Sequence, residues 1–429
     1  MFDITRYGAV GDGVTMNTAA IQAAIDDAAK VHGTVCFPDG VFLTGTILLE
    51  GVSLHLEAGA VIKASTDLAD YPVQPYFHNE LGHLRALIVN LGYDDVSVTG
   101  SGTIDFSGHA FYDLDRYDVP PSEVPFTEAQ VLECTHPIGK RPAQCLFMHG
   151  AKNLTVSGIR VIDAPCWTLT FSECENVKLT SLTIDTDLNI PNDDGIHISA
   201  CKGVIISDCH ITSGDDCIAL SCITNWDRPC EDIVITNCVL KSCSKAIVVG
   251  YIYSVVRNVM ISNVIIRESN RGLCLMCHDE CGQIENVRVT NCSFDTRIRA
   301  GNWWGNGEPI FLMAVRHDMH LPFNQKPDRV PDCAIRGVHI NGVTCTGENA
   351  MGIVGWQGNI RDVSLQNIRY ARKASANLPL KGLHFDLAPS DVKVDVPADC
   401  GLMITGAQGV ALQNVDTGSW QVLQAVDPD

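Results

Sequence analysis

Two short phrases, Asn192-Asp193-Asp194-Gly195 and Gly214-Asp215-Asp216-Cys217, hold four carboxylates, and each runs directly into an apolar alternation. Aligned by apolar phase, Asp194-Gly195-Ile196-His197-Ile198-Ser199 lies over Asp216-Cys217-Ile218-Ala219-Leu220-Ser221 at an offset of 22. Lys245-Ala246-Ile247-Val248-Val249-Gly250 follows at an offset of 29, and Arg271-Gly272-Leu273-Cys274-Leu275-Met276 at 26. If these phrases are neighbouring strands, Asp194, Asp216, Lys245 and Arg271 form one row, with Asp215 beside it. Paired strands lie about 4.8 Å apart, so three carboxylates would crowd into one small site flanked by two cations. Like charges that close raise at least one pKa, leaving one carboxyl as a proton donor while others act as bases. Acid–base cleavage of a glycosidic bond needs this apparatus. A single Asp at such a place is ordinarily a turn residue. The alignment of three is what points to a site.

The elements that must carry the row are repeats. An apolar-x-apolar-polar phrase recurs as Leu154-Thr155-Val156-Ser157, Val177-Lys178-Leu179-Thr180, Val204-Ile205-Ile206-Ser207, Ile233-Val234-Ile235-Thr236, Val259-Met260-Ile261-Ser262 and Val287-Arg288-Val289-Thr290. The steps are 23, 27, 29, 26 and 28 residues, and similar phrases begin at Val96, Val338, Val363 and Val410. Alternation of period two marks strands with one buried face, and the intervening Asn, Gly, Asp and Ser clusters mark turns. A unit of this length built from short strands is one coil of a parallel β-helix. The Leu-x-x-Leu-x-Leu phrase of leucine-rich repeats is absent. The expectation is an all-β, single-domain right-handed parallel β-helix of about ten coils over residues 1–429. Residues 1–35 should cap its first coil with a helix from Thr18 to Ala29, started by Asn17 or Thr18. Segments 106–141 and 370–400 break the period and are expected to be excursions on the rim or at the C-terminal end.

Thirty basic against fifty acidic residues, a net charge of −20, disfavour nucleic acid and anionic membranes as partners. No apolar run approaches the roughly 18 residues of a membrane span. The N-terminus shows no secretion signal, and the cysteine count of nineteen is odd, so buried free thiols in a cytoplasmic, reducing compartment are expected.

The two acidic phrases resemble the Asn-Thr-Asp-Gly and Gly-Asp-Asp-Cys motifs of glycoside hydrolase family 28, the polygalacturonases. Tyr7-Gly8-Ala9-Val10-Gly11-Asp12-Gly13, Arg141-Pro142, Cys166-Trp167-Thr168, Arg271-Gly272-Leu273 and Trp304-Gly305-Asn306-Gly307-Glu308-Pro309 are similar to bacterial members of that family, in family order from about residue 2 to 370. The resemblance implies Asp215 as general acid and Asp194 with Asp216 activating water. Its hydrolysis inverts the anomeric centre, with acid and base about 6.5–9.5 Å apart to admit that water. It calls for no cofactor and no metal, and for an oligosaccharide of pectin or a related plant cell-wall polymer as partner.

The chain departs from the family at two phrases. Where polygalacturonate-cutting members carry His in Gly-His-Gly, this chain has Cys243-Ser244-Lys245-Ala246, so the His position falls on Ser244 or Lys245. Where they carry Arg-Ile-Lys, it has Cys274-Leu275-Met276. By strand phase Cys274 and Met276 point outward toward the groove, where a uronate carboxylate would find no partner. A neutral sugar such as rhamnose is therefore expected at that subsite, with galacturonide as the alternative if Lys245 or Arg271 takes over. Asn192, Arg141, His197, Trp303, Trp304 and Glu308 are the further substrate-contact candidates. Trp356 could stack on a sugar, and Glu308 with Arg316 could equally form a structural ion pair. Exo action would follow if segment 106–141 walls off one end of the groove.

Cys274-Leu275-Met276-Cys277-His278 matches the C-x-x-C-H haem-attachment spacing, with Cys281 as a further potential ligand, but it shares its strand phase with the preceding coils. Chance spacing in a cysteine-rich chain accounts for it better. Two rival functions stay open. A β-helix lyase or epimerase would need a cation, often Ca²⁺, to neutralise a uronate carboxylate, and a non-catalytic carbohydrate-binding β-helix would keep the Asp turns without turnover.

Overall fold

A computed structural model describes residues 1–78, 82–113, 139–278, 282–299, 301, 303–315, 333–390 and 392–424. The chain winds as a right-handed parallel β-helix, with a sheet of twelve strands on one side and a larger sheet that turns a corner on the others. The recurring phrases pair as the period predicts: Leu154, Val177, Val204, Ile233, Val259 and Val287 are successive partners across six coils. Each points inward and is at most 2% exposed. Every such aliphatic side chain withdrawn from water contributes roughly 1.5–3 kcal/mol.

The corners explain the Asn, Asp and Gly clusters. Asn237, Asn263 and Asn291 stand one above another with φ of 56°, 55° and 55°. Each amide donates to the carbonyl or carboxylate below: Asn237 to Asp208 at 3.1 Å, Asn263 to Asn237 at 3.3 Å, Asn291 to Asn263 at 2.7 Å. The left-handed backbone is cheapest for Gly, Asn and Asp, and the side-chain ladder satisfies groups that the turn exposes.

At the N-terminus the helix Thr18–Ala29 turns Ile21, Ala24, Ile25 and Ala28 into the core beneath the first strands. Asn17 precedes it, but its side chain makes no cap bond to the helix. It instead bridges Val10, Thr15 and Leu43.

What positions the site is the outer face of the twelve-stranded sheet. One outward row runs Val89, Phe147, Thr170, His197, Ala219, Val248, Cys274, Phe311 through consecutive strands. Most of it is covered. Val89 and Phe147 pack with Leu84, and the Tyr76 ring lies tilted against Phe147 with centroids 5.0 Å apart. At the other end, segment 370–400 first completes the strand Ile360–Arg372, then forms the helix Leu378–Lys381 and a hairpin of His384–Asp386 with Lys393–Asp395. Its Phe385, Leu387 and Val396 form an outer apolar cluster with Cys274, Met276, Phe311 and Met313. Cys274 and Met276 do point out of the barrel, but they are 0% and 1% exposed. The expectation that they line the groove is thus corrected: the C-terminal hairpin seals them. Of excursion 106–141, residues 114–138 lie outside the described residues.

Candidate active site

The predicted row exists. Ile196 pairs Ile218, Ile218 pairs Ile247, and Lys245 pairs Arg271, so Asp194, Asp216, Lys245 and Arg271 occupy equivalent positions on successive coils, at or just before the strand starts. Three of the four open on a cavity of about 460 Å³ that Asp215 also lines. The uncovered stretch of sheet between the two sealed ends forms its floor, with Ala219 and Val248 at the bottom.

Asp215 is held from every side while its carboxylate faces the cavity. Its amide donates to Asp193 Oδ1 at 2.7 Å, and its carbonyl accepts the hydroxyls of Ser213 at 2.8 Å and Ser242 at 2.7 Å. Its Oδ2 accepts the Asn192 amide at 3.2 Å. The turn depends on Gly214, where a Cβ would strike the Ile190 carbonyl and stand 2.7 Å from that of Asp187. Gly195 is required for the same reason: a Cβ there would meet Ile211 at 2.6 Å and the Cys217 carbonyl at 2.8 Å.

Asp216 is 8% exposed and lies 2.9 Å from the ammonium of Lys245, whose amide donates to the same oxygen at 3.1 Å. Burial pushes the Asp216 carboxyl up to about 8. Lys245 opposes that rise, and the charges of Asp215 and Asp194 add to it. Burial works against the Lys245 charge, but Asp216 and Asp215 outweigh it and keep the ammonium above its ordinary value. Lys245 also donates to Ser244 at 3.0 Å and lies 5.0 Å from the Trp304 ring centroid. Both positions onto which the family His falls, Ser244 and Lys245, line the cavity, and the Lys245 ammonium is bonded to the acidic row.

Asp194 is raised by burial first and then by Asp215, against Lys245 and Arg141. Its Oδ2 lies 2.9 Å from His197 Nδ1, while His197 Nε2 lies 2.9 Å from the Ser221 hydroxyl. Burial lowers His197 to about 3. Burial thus favours the neutral imidazole, and the contact with Asp194 is a hydrogen bond more than an ion pair. His197 stacks on Trp167 at 3.8 Å.

The other expected contacts divide. Asn192, Arg141, His197, Lys245, Trp303 and Trp304 line the cavity. Arg141 donates to the Pro191 carbonyl at 2.8 Å and to the Asn192 side chain at 2.9 Å, fixing the turn that delivers the Asn192 amide to Asp215. Arg271 and Glu308 do not reach the cavity, which corrects their assignment as substrate contacts. Both side chains are 0% exposed, bonded to each other at 3.1 and 3.2 Å, and Arg271 also donates to the Asp386 carbonyl at 2.9 Å. The covering hairpin buries the end of the row. Trp356 is 46% exposed and does not line the cavity, and Arg316 lies outside the described residues.

Trp167, Tyr251 and Ser221 also line the cavity and have no site role in the sequence reading; Ser244, one of the two positions for the family His, lines it as well. For Trp167 a signal existed. Leu169 pairs Ile196, so extending the row one coil toward the N-terminus lands on Trp167. Tyr251 sits in a turn, outside any phase, and stacks near Trp304 at 6.1 Å.

The C-x-x-C-H phrase is not a haem site. Cys274 faces the outer cluster and Cys277 the inner core, both at 0% exposure, so the thiols project from opposite faces of one strand. Cys281 lies outside the described residues. Among the described residues no group of three or more His, Cys, Asp or Glu side chains is disposed to hold a metal ion.

Residues 29–297, well over half of the chain, match the profile of Glycosyl hydrolases family 28. Among curated proteins the chain is 29% identical to a probable polygalacturonase of Vitis vinifera over 238 residues, covering 52% of this chain and 44% of that one. It is 24% identical to an exo-poly-alpha-D-galacturonosidase of Dickeya chrysanthemi over 310 residues, 64% of this chain and 51% of that one. The chain thus spans about half the length of the curated relatives it matches. The solved structure of a family 28 exopolygalacturonase from Yersinia enterocolitica superposes with a TM-score of 0.71 at 19% identity, over 100% of this chain and 78% of that one. A β-helix whose register stacks Asp194, Asp216 and Lys245 beside Asp215, and whose sequence matches this profile across most of its coils, belongs to glycosyl hydrolases family 28.

Proposed function

We propose that the protein hydrolyses an α-glycosidic bond at the end of a short pectin-type oligosaccharide in a single inverting step. The observation that carries this reading is the cavity: Asp215 presents a carboxyl group beside the Asp194–Asp216–Lys245 row, and the sheet is covered on both sides of it. An open cleft would accept the middle of a polymer. A pocket about four coils wide and covered at both ends accepts a chain end.

Asp215 donates a proton to the glycosidic oxygen as the bond to the anomeric carbon breaks. Asp194 and Asp216 hold a water, and one of them takes its proton as the water oxygen attacks the opposite face of that carbon. Lys245 keeps Asp216 able to ionise despite burial, and neutral His197 orients Asp194. Each turnover releases the terminal sugar and a chain one unit shorter, and the cycle closes as the base gives its proton to solvent and Asp215 takes one back.

Galacturonide is the reading for the terminal sugar that the named relatives support, and the ammonium of Lys245 has a third hydrogen to offer a carboxylate. A neutral sugar is the second reading. The burial of Cys274 and Met276 removes its first support, but the apolar floor of Ala219 and Val248 favours an uncharged, methyl-bearing ring. Sixteen of the seventeen described cysteines are buried free thiols, which supports a reducing compartment supplied with short, imported substrates.

Product analysis of oligogalacturonides and neutral aryl α-glycosides, comparing the parent with Asp215→Asn, tests the proposal. Release of single galacturonate units supports the first reading, and release of a neutral sugar alone supports the second. An unsaturated product absorbing in the ultraviolet would replace hydrolysis with a lyase reaction.

A further inference from the structure

One buried carboxyl next to the site has no part in the chemistry above. Asp193 is 0% exposed and points away from the cavity, under the turn that carries Asp215. Its Oδ1 accepts the Asp215 amide at 2.7 Å, and the Gly214 amide bonds to the same carboxyl. A Cβ at Gly214 would stand 2.8 Å from that Oδ1, so the glycine and the carboxyl are fitted to each other. Its Oδ2 lies 2.6 Å from the Thr186 hydroxyl, which in turn lies 3.3 Å from the Thr212 carbonyl of the next coil.

We propose that Asp193 is a positioning residue, a buried carboxylic acid in its neutral form that sets the place of Asp215 by receiving the amides of Gly214 and Asp215 while its own proton goes to Thr186. This inference rests on the reading of Asp215 as the general acid.

The hydrogen bonds close in two ways, and burial separates them. The Thr186 hydroxyl has one proton, and the Thr212 carbonyl is an acceptor with nothing to give. The proton can go to Asp193, because the Thr186 backbone amide already donates to the Thr212 carbonyl at 3.0 Å; if it goes to that carbonyl instead, the 2.6 Å contact takes its proton from Asp193. The titratable groups facing Asp193 are Asp215, Cys145 and Cys217, and none supplies positive charge. Burial accordingly holds the Asp193 carboxyl well above the usual range. A neutral acid also avoids a second negative charge directly behind Asp215. Sequence resemblance puts Asp193 where the family motif has Thr, a residue too short to bridge in the same way.

The test uses Asp193→Asn and Asp193→Val in the full chain. The amide reproduces the neutral acid: its oxygen accepts both backbone amides and its nitrogen donates to Thr186. Asp193→Asn is expected to keep kcat, KM and the pH profile of the parent. Asp193→Val, close in volume to the family's Thr but with no acceptor, is expected to lose roughly a hundredfold in kcat with little change in KM, because the acid is displaced while the sugar still binds. A loss in Asp193→Asn as large as in Asp193→Val would overturn the proposal, since a negative charge would then be what matters. So would full activity in Asp193→Val. An infrared difference spectrum between parent and Asp193→Asn at neutral pH gives a readout independent of turnover. A protonated-carboxyl C=O band lost in the variant supports the neutral acid, and loss of a carboxylate band instead overturns it. If the parent cleaves no glycoside, the functional reading fails while the infrared result still decides the state of Asp193.

Discussion

Lys245 and Arg271 are neighbours in one row, on adjacent strands of the same sheet, and each is paired with a carboxylate, yet they belong to different parts of the protein's physics. Lys245 and Asp216 open on the cavity, where water and a ligand can reach them. Arg271 and Glu308 are sealed beneath the C-terminal hairpin, with the Arg271 guanidinium 4.2 Å from the Phe311 ring centroid and an extra bond to the Asp386 carbonyl. A sealed pair is complete and inert. The open pair has spare hydrogen-bonding capacity, and its charges respond to what enters. One covering element, not a change of residue type, separates a structural ion pair from a candidate catalytic one.

Four substitutions would break or sharpen that contrast. Asp216→Asn on the open side should lower kcat roughly 10²–10⁴-fold while the thermal midpoint moves little, measured by product release and calorimetry. Glu308→Gln on the sealed side should do the reverse. Leaving Arg271 charged and unpaired in the dry interior should cost about 3–5 kcal/mol of stability, seen in denaturant unfolding, with kcat per folded molecule near that of the parent. A strong activity loss in Glu308→Gln at unchanged stability would abolish the distinction.

Lys245→Met should lower kcat about tenfold, equivalent to ~1.4 kcal/mol in the barrier. It should also shift the pH profile in a defined direction. If Asp216 is the group that takes the water's proton, the ascending limb of kcat/KM should lie above the ordinary carboxylate range, because burial raises the Asp216 carboxyl. Lys245 lowers that pKa, so its removal should move the limb to higher pH. A limb that stays in place would show that Asp216 is not the group being read. The smallest effect is expected from Trp304→Leu, which removes a ring 5.0 Å from the ammonium and should cost about 0.5–1 kcal/mol, appearing mainly in KM.

Much of this site was legible in one dimension. The offsets of 22, 29 and 26 between apolar phrases are the strand pairings of the folded chain, and the steps of 23 to 29 residues are its coils. Trp167 could have been found by extending the row by one coil, whereas Tyr251 could not, because it lies in a turn that no period governs. The reading of Cys274 and Met276 shows the limit most clearly. Their direction out of the barrel was right and their exposure was wrong, since phase says which way a side chain points and nothing about what lies on top of it.

By itself the sequence determined the period, the register and hence the row Asp194, Asp216, Lys245, Arg271, because strand alternation is local and a one-residue slip would turn every buried side chain to water. Only the tertiary structure decided where that row is open. The cover comes from Phe385, Leu387 and Val396, more than a hundred residues beyond Cys274, on a hairpin with no repeat pattern of its own. Contacts of that kind depend on shape and packing between distant segments, and no periodicity in the chain encodes them.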